Sequence, residues 1–186
     1  NMKKVFMIHG FNSCPNSSWL PWLMGELKTK DIYACSLSMP NPGTPIRLEW
    51  VNEIARHISL YPSDEIYLVG HSLGSAAILN YLQSESSKII KGVVLVSGRC
   101  QKSNNPLTEG FYESFDFVKI KASAEQFAII HGDNDEIVSV ENAYILRDHL
   151  GVEPLIIKDG GHLTGSQGWK KLPQCLEKLE EMMNIK

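Results

Sequence analysis

Tyr67-Leu68-Val69-Gly70-His71-Ser72-Leu73-Gly74-Ser75 is the stretch that decides how this chain is read. The apolar run Ile66 to Val69 has the length of a buried strand. It drops into Gly-x-Ser-x-Gly, and Ala76, Ala77, Ile78, Leu79, Tyr81 and Leu82 follow at helical spacing. Strand, sharp turn and helix in that order hold a serine at a strained bend, and the flanking glycines let neighbouring backbone approach without a Cβ clash. Ser72 is therefore the candidate nucleophile. The Leu73 amide, at the positive end of the following helix, is a candidate donor to a developing oxyanion. The bland alternative is a glycine-rich turn whose serine only caps the helix, and it loses ground once the partner residues below are counted.

A serine hydroxyl is a weak nucleophile at neutral pH and needs a base within hydrogen-bond reach and a carboxylate to orient that base. Behind an elbow of this kind, acid and then base arrive in loops after later strands. Strand Phe127 to Ile130 runs into His131-Gly132-Asp133-Asn134-Asp135-Glu136-Ile137-Val138, and strand Leu155 to Ile157 runs into Lys158-Asp159-Gly160-Gly161-His162. His162 is the expected base. His9 and His131 precede glycines at strand ends and read as turn residues. His71 is expected to point away from the nucleophile, and His57 and His149 fall on predicted helices. The residues leave Asp135 and Asp133 open as the acid, because Asp133 also suits a role bonding backbone amides of the turn. Asp159 reads as shaping its own loop.

The second oxyanion donor is expected from His9-Gly10-Phe11-Asn12, after the first strand, with the Phe11 amide as the donor. Asn12 is a candidate side-chain contact or a brace of that loop. Cys14, close by, has no base of its own and is not expected to react.

Working outward, Val5 to Ile8 is an unbroken apolar run that suits a parallel strand covered on both faces. A helix from Trp19 or Pro21 to Lys28, a strand from Asp31 to Leu37, and a helix from Ile46 to about Ser59 follow. Pro40, Pro42 and Pro45 forbid regular structure before that second helix. Gly92 to Ser97 is a further buried-type strand, and Trp169 to Met183 reads as a closing helix. Strands alternating with helices predict an α/β domain over residues 2–186, with a doubly wound, mainly parallel, six-stranded sheet. The connection from Arg99 to Ile120 is read as irregular and as the substrate-side wall. Trp19, Trp22, Phe111 and Phe115 are candidates to line the pocket, although aromatic residues at such positions belong to the core more often than to a contact surface. With so short a lid the pocket is expected to be shallow, favouring small acyl groups.

A formal charge of −3 carries no basic footprint for nucleic acid or an anionic membrane. Cys14, Cys35, Cys100 and Cys175 are scattered without a C-x-x-C pair. That spacing argues against a metal site or disulfide framework and suits reduced thiols in a cytoplasmic chain. No long apolar stretch or signal peptide is recognised, and Asn1 ahead of Met2 is read as foreign to the natural chain. No cofactor is expected.

Taken together, His9-Gly10-Phe11-Asn12-Ser13, Gly70-His71-Ser72-Leu73-Gly74, His131 to Val138 and Gly160-Gly161-His162 resemble the small α/β hydrolases of the YdeN and retinoblastoma-binding-protein type, over nearly the whole chain. The resemblance implies a minimal hydrolase fold without a cap domain and a Ser72, Asp135, His162 triad. The family's His-Gly-x-x-Asp-x-x-Val pattern is what selects Asp135 over Asp133. Ser139 departs from the proline that many such hydrolases have after the valine. The implied activity is that of a serine hydrolase, esterase-like or peptidase-like, on a small ester, thioester or activated amide. The competing reading is a catalytically idle module that keeps the fold and binds a protein partner. A flavodoxin-like nucleotide binder is disfavoured, since Gly10-Phe11-Asn12-Ser13 is not a phosphate-cradling loop.

Overall fold

The computed structural model describes residues 2–85 and 87–185, so that Asn1 lies outside the described residues. Strands β1 (Lys3–Ile8), β2 (Tyr33–Leu37), β3 (Glu65–His71), β4 (Gly92–Val96), β5 (Phe127–Gly132) and β6 (Leu155–Ile157) form one sheet in the order β2-β1-β3-β4-β5-β6. Every pairing is parallel. Among the described residues the α-helices are α1 (Leu20–Lys28), α2 (Arg47–Ser59), α3 (Leu73–Leu82), α4 (Phe117–Ala122), α5 (Glu141–Leu150) and α6 (Pro173–Met183).

Successive side chains leave opposite faces of a strand, so each inner strand feeds two cores. Phe6, Ile8, Leu68 and Leu95 pack with the apolar faces of α2, α3 and α5. Val5, Met7, Val69 and Val94 pack with those of α1 and α6 on the other side. Burial on both faces is why these strands read as unbroken apolar runs. Amphipathic spacing builds the outer helices: Trp50, Val51, Ile54 and Ile58 on α2, and Cys175, Leu179, Met182 and Met183 on α6. Helix α3 is different, being buried at every position.

Three boundaries differ from the sequence reading. Asp31 adopts φ 58°, a left-handed turn, so β2 begins only at Tyr33. The last helix starts at Pro173, whose fixed φ suits a first helical turn. Trp169 instead folds back onto the loop before it, its indole N–H donating to the Gly160 carbonyl at 2.8 Å. The connection after β4 is not irregular throughout. It holds a 3-10 turn, Glu109–Tyr112, and then α4, where the Asp116 side chain caps the Lys119 amide at 3.1 Å.

Chain topology places the site. Strand β1 continues into α1 on one face and β3 into α3 on the other, which opens a crevice at their carboxyl ends. Between β3 and α3, Ser72 takes φ 57° and ψ −119°. A Cβ at Gly70 would lie 2.6 Å from the Ser75 nitrogen, and one at Gly74 would overlap the Ile8 carbonyl oxygen. The elbow is thus clamped to the end of β1. Gly74→Ala is expected to destabilise the protein by about 1–3 kcal/mol or more in urea unfolding, and a stability equal to that of the unmodified chain would show that the clamp is not tight.

Candidate active site

At the carboxyl end of β3 the Ser72 hydroxyl is within 2.9 Å of His162 Nε2, and His162 Nδ1 lies 2.8 Å from Asp135 Oδ2. The loops after β3, β5 and β6 therefore bring the three predicted residues into one hydrogen-bonded chain. The Asp135 carboxylate is fully buried and surrounded by donors. Its Oδ1 accepts the amides of Ile137 and Val138, both at 2.9 Å, while Oδ2 takes His162 and, at 3.3 Å, the Nε2 of His131. Burial alone would raise this carboxyl. Hydrogen bonds from His131 and His162, the charge on His162 and the Val138 amide outweigh it and hold Asp135 well below the usual carboxylate range.

Asp133 is exposed and otherwise engaged, its Oδ1 accepting the Asp159 amide at 2.8 Å and tying the β5 loop to the β6 loop. Asn134 makes a parallel tie to the Gly161 amide at 2.8 Å. His162 is fixed through its own backbone. The His162 carbonyl accepts His71 Nε2–H and the Ser97 hydroxyl, each at 3.0 Å, and its amide donates to Gln167 Oε1 at 2.8 Å. His71 indeed does not reach Ser72. Its ring lies against His162 with centroids 5.5 Å apart, and burial first, then the nearby His162, lower its pKa to about 4.

The two expected oxyanion donors flank the serine. Leu73 opens α3, and the loop after β1 comes so close that a Cβ at Gly10 would lie 3.2 Å from the Ser72 Cβ and 3.8 Å from the Leu73 nitrogen. His9 Nε2 accepts the Met39 amide at 3.1 Å, which leaves the proton on Nδ1 to donate to the Gly10 carbonyl at 2.8 Å. Gly10 C=O and Phe11 N–H belong to one trans peptide and point opposite ways, so this bond turns the Phe11 N–H away from His9. Burial keeps His9 neutral by lowering its pKa, opposed in part by the Gly10 bond.

A cleft of about 290 Å³ opens over Ser72, walled by Phe11, Leu73, Arg99, Thr108, Tyr112 and Ile137 among others. The family model for serine hydrolases matches residues 5–181. The chain belongs to the serine hydrolase family. YdeN of Bacillus subtilis strain 168, named as a hydrolase, is 33% identical to it over 177 residues, which is 92% of this chain and 91% of YdeN. The crystal structure of the ydeN gene product matches with a TM-score of 0.90 at 30% identity, covering 98% of this chain and 100% of that one. Est1E from Butyrivibrio proteoclasticus shares the fold, with a TM-score of 0.75 at 16% identity over 98% of this chain and 87% of its own. The expected minimal α/β hydrolase fold thus stands.

Four expected lining residues of this serine hydrolase lie elsewhere. Trp19 is 0% exposed, its indole N–H donating to the Leu163 carbonyl at 3.1 Å, and Phe111 is 1% exposed against Trp50. Both are core residues, because large aromatic surface gains most by complete burial. Phe115 rests on Tyr112 and Phe117, and Trp22 packs toward the face shared by α1 and α6. Asn12, with φ 51°, is exposed, and its amide donates to the Pro42 carbonyl at 2.7 Å, so it braces the loop. The connection read as the substrate-side wall does line the cleft, through residues not singled out there, Arg99, Ser103, Thr108 and Tyr112 among them, while Ile137 and Val138 of the β5 loop were not expected in the lining. Their signal in the sequence was position, in the connections that follow β4 and β5.

Keeping His71 neutral has a cost at low pH. Below 6.5 the unfolded chain protonates this imidazole while the folded one resists down to about 4. The unfolded state then binds more protons, and stability falls on acidification. Between those limits the loss attributable to His71 is on the order of 3 kcal/mol. Urea unfolding of the wild type and His71→Gln is expected to show their stability difference moving by that amount in favour of the variant as pH falls from 6.5 to 4. A constant difference would mean that His71 titrates normally.

Proposed function

We propose that this protein is a serine hydrolase that cleaves small esters, thioesters or activated amides through a covalent acyl-enzyme. The observation that carries this reading is the unbroken hydrogen-bond chain from Ser72 through His162 to Asp135, at 2.9 and 2.8 Å. In the proposed reaction Ser72 Oγ attacks the carbonyl carbon as its proton passes to His162 Nε2. Asp135, already ionised and satisfied on both oxygens, stabilises the imidazolium and keeps its Nδ1–H directed at the carboxylate. The oxyanion is received by the amides of Leu73 and Phe11. His162 then protonates the departing alcohol, thiol or amine, and afterwards takes a proton from the water that attacks the acyl carbon and releases Ser72.

Cleft size favours a short acyl group, since about 290 Å³ lies at the lower end of small-molecule sites. The tight donor set on Asp135 and the separate engagement of Asp133 favour Asp135 as the acid. Steady-state hydrolysis of a panel of p-nitrophenyl esters, thioesters and aminoacyl amides tests the proposal. Ser72→Ala should lower kcat by about 10⁶ and Asp135→Asn by about 10⁴. A larger loss in Asp133→Asn than in Asp135→Asn would reassign the acid, and turnover that survives Ser72→Ala would remove the nucleophile altogether.

A further inference from the structure

Of the residues lining the cleft over Ser72, Arg99 alone carries a formal charge. It leaves the end of β4 half-buried, with Nη2 donating to the Ile137 carbonyl at 2.9 Å and Nη1 to the Lys102 carbonyl at 3.3 Å. Those two anchors fix the plane of the guanidinium. They use two of its five N–H donors. Elsewhere the arginine ion pairs are Arg56 with Glu53 and Arg147 with Asp148, and no carboxylate among the described residues comes within 4.0 Å of Arg99.

The neighbouring polar groups do not fill that gap. Ser103 and Thr108 pair their hydroxyls at 3.0 Å, and Ser103 Oγ also accepts the Asn105 amide at 3.1 Å. Phe11 and Ile137 add apolar surface to the same cleft, the latter 64% exposed. A neutral acyl chain settling here would cover a cation without returning any charge to it, which is costly. A carboxylate would meet a guanidinium already held in place, the geometry that suits two parallel charge-assisted hydrogen bonds.

We propose that Arg99 is an anion-recognition residue and that the substrate bears a carboxylate within reach of it, close to the bond that is cleaved. One guanidinium matches one negative charge, so a monoanionic ester is the class expected, on either the acyl or the alcohol side. The proposal rests on the hydrolase reading, and its test is a binding measurement that needs no turnover. Ser72→Ala protein is titrated with monomethyl succinate, with O-butyrylglycolate and with neutral methyl butyrate, by calorimetry or protein NMR.

At least one charged ester should bind about 10- to 100-fold more tightly than the neutral one, as a charge-assisted pair warrants. The preference should shrink as salt is raised. It should also collapse in Ser72→Ala with Arg99→Gln and survive in part with Arg99→Lys, and each ratio is taken within one protein so that a general loss cancels. Equal or undetectable binding of the charged esters, or a preference that persists in Arg99→Gln, overturns the proposal. If Arg99→Gln does not fold, the salt titration and Arg99→Lys decide. A preference for the charged ester that is intact while the Ser72 protein hydrolyses neither would support the anion site and count against the hydrolase reading.

Discussion

The contact between α3 and the end of β1 leaves no space for a side chain at position 74, where a Cβ would overlap the Ile8 carbonyl oxygen. From that constraint the rest of the site follows. With the helix held so close to the strand beside β3, the chain has a single residue in which to reverse, and Ser72 takes it up at φ 57°. Such a conformation costs on the order of 1–3 kcal/mol. Complete burial of every residue in α3 offsets it. The strain and the burial together set the serine hydroxyl and the Leu73 amide at one place on the rim of the sheet.

The loops that meet this elbow are immobilised by imidazoles that take no part in the proposed chemistry. His9 at the end of β1 holds the Gly10 carbonyl, His71 at the end of β3 holds the His162 carbonyl, and His131 in β5 holds the Val138 carbonyl at 2.8 Å. Each is buried. An imidazole suits this work because a ring nitrogen donates to a carbonyl while its body packs as an aromatic. His131 does more than its neighbours, sharing its Nε2–H with Asp135 at 3.3 Å while its Nδ1 is buried without a partner. Asp135 Oδ2 thus takes both His162 and a supporting imidazole, while Oδ1 takes two backbone amides.

Much of this was legible in the sequence because local chemistry dictated it. Unbroken apolar runs marked strands covered on both faces, and glycines around Ser72 marked a turn that tolerates no Cβ. Loops after later strands pointed to His162 as the candidate base, while preferring Asp135 as the candidate acid needed the family pattern as well. What could not be read was decided by packing between distant segments. Trp19 and Phe111 were candidates for the pocket lining, yet they reach the two cores. Arg99 fell within the connection read as the substrate-side wall but was not singled out, because a lone arginine after a strand has no pattern, and its meaning depends on the Ile137 carbonyl and the cleft. Trp169 extended a helical pattern that Pro173 in fact begins, since its indole found the Gly160 carbonyl instead.

The central claim is that Ser72 is made reactive in neutral water by His162. Mass spectrometry of the peptides from the intact protein treated with a fluorophosphonate probe tests this most directly. The account predicts a single adduct on Ser72 that forms at neutral pH and is abolished by His162→Ala. An unlabelled protein, an adduct at another residue such as Cys14 or Ser75, or labelling of Ser72 that is undiminished without His162 would contradict it.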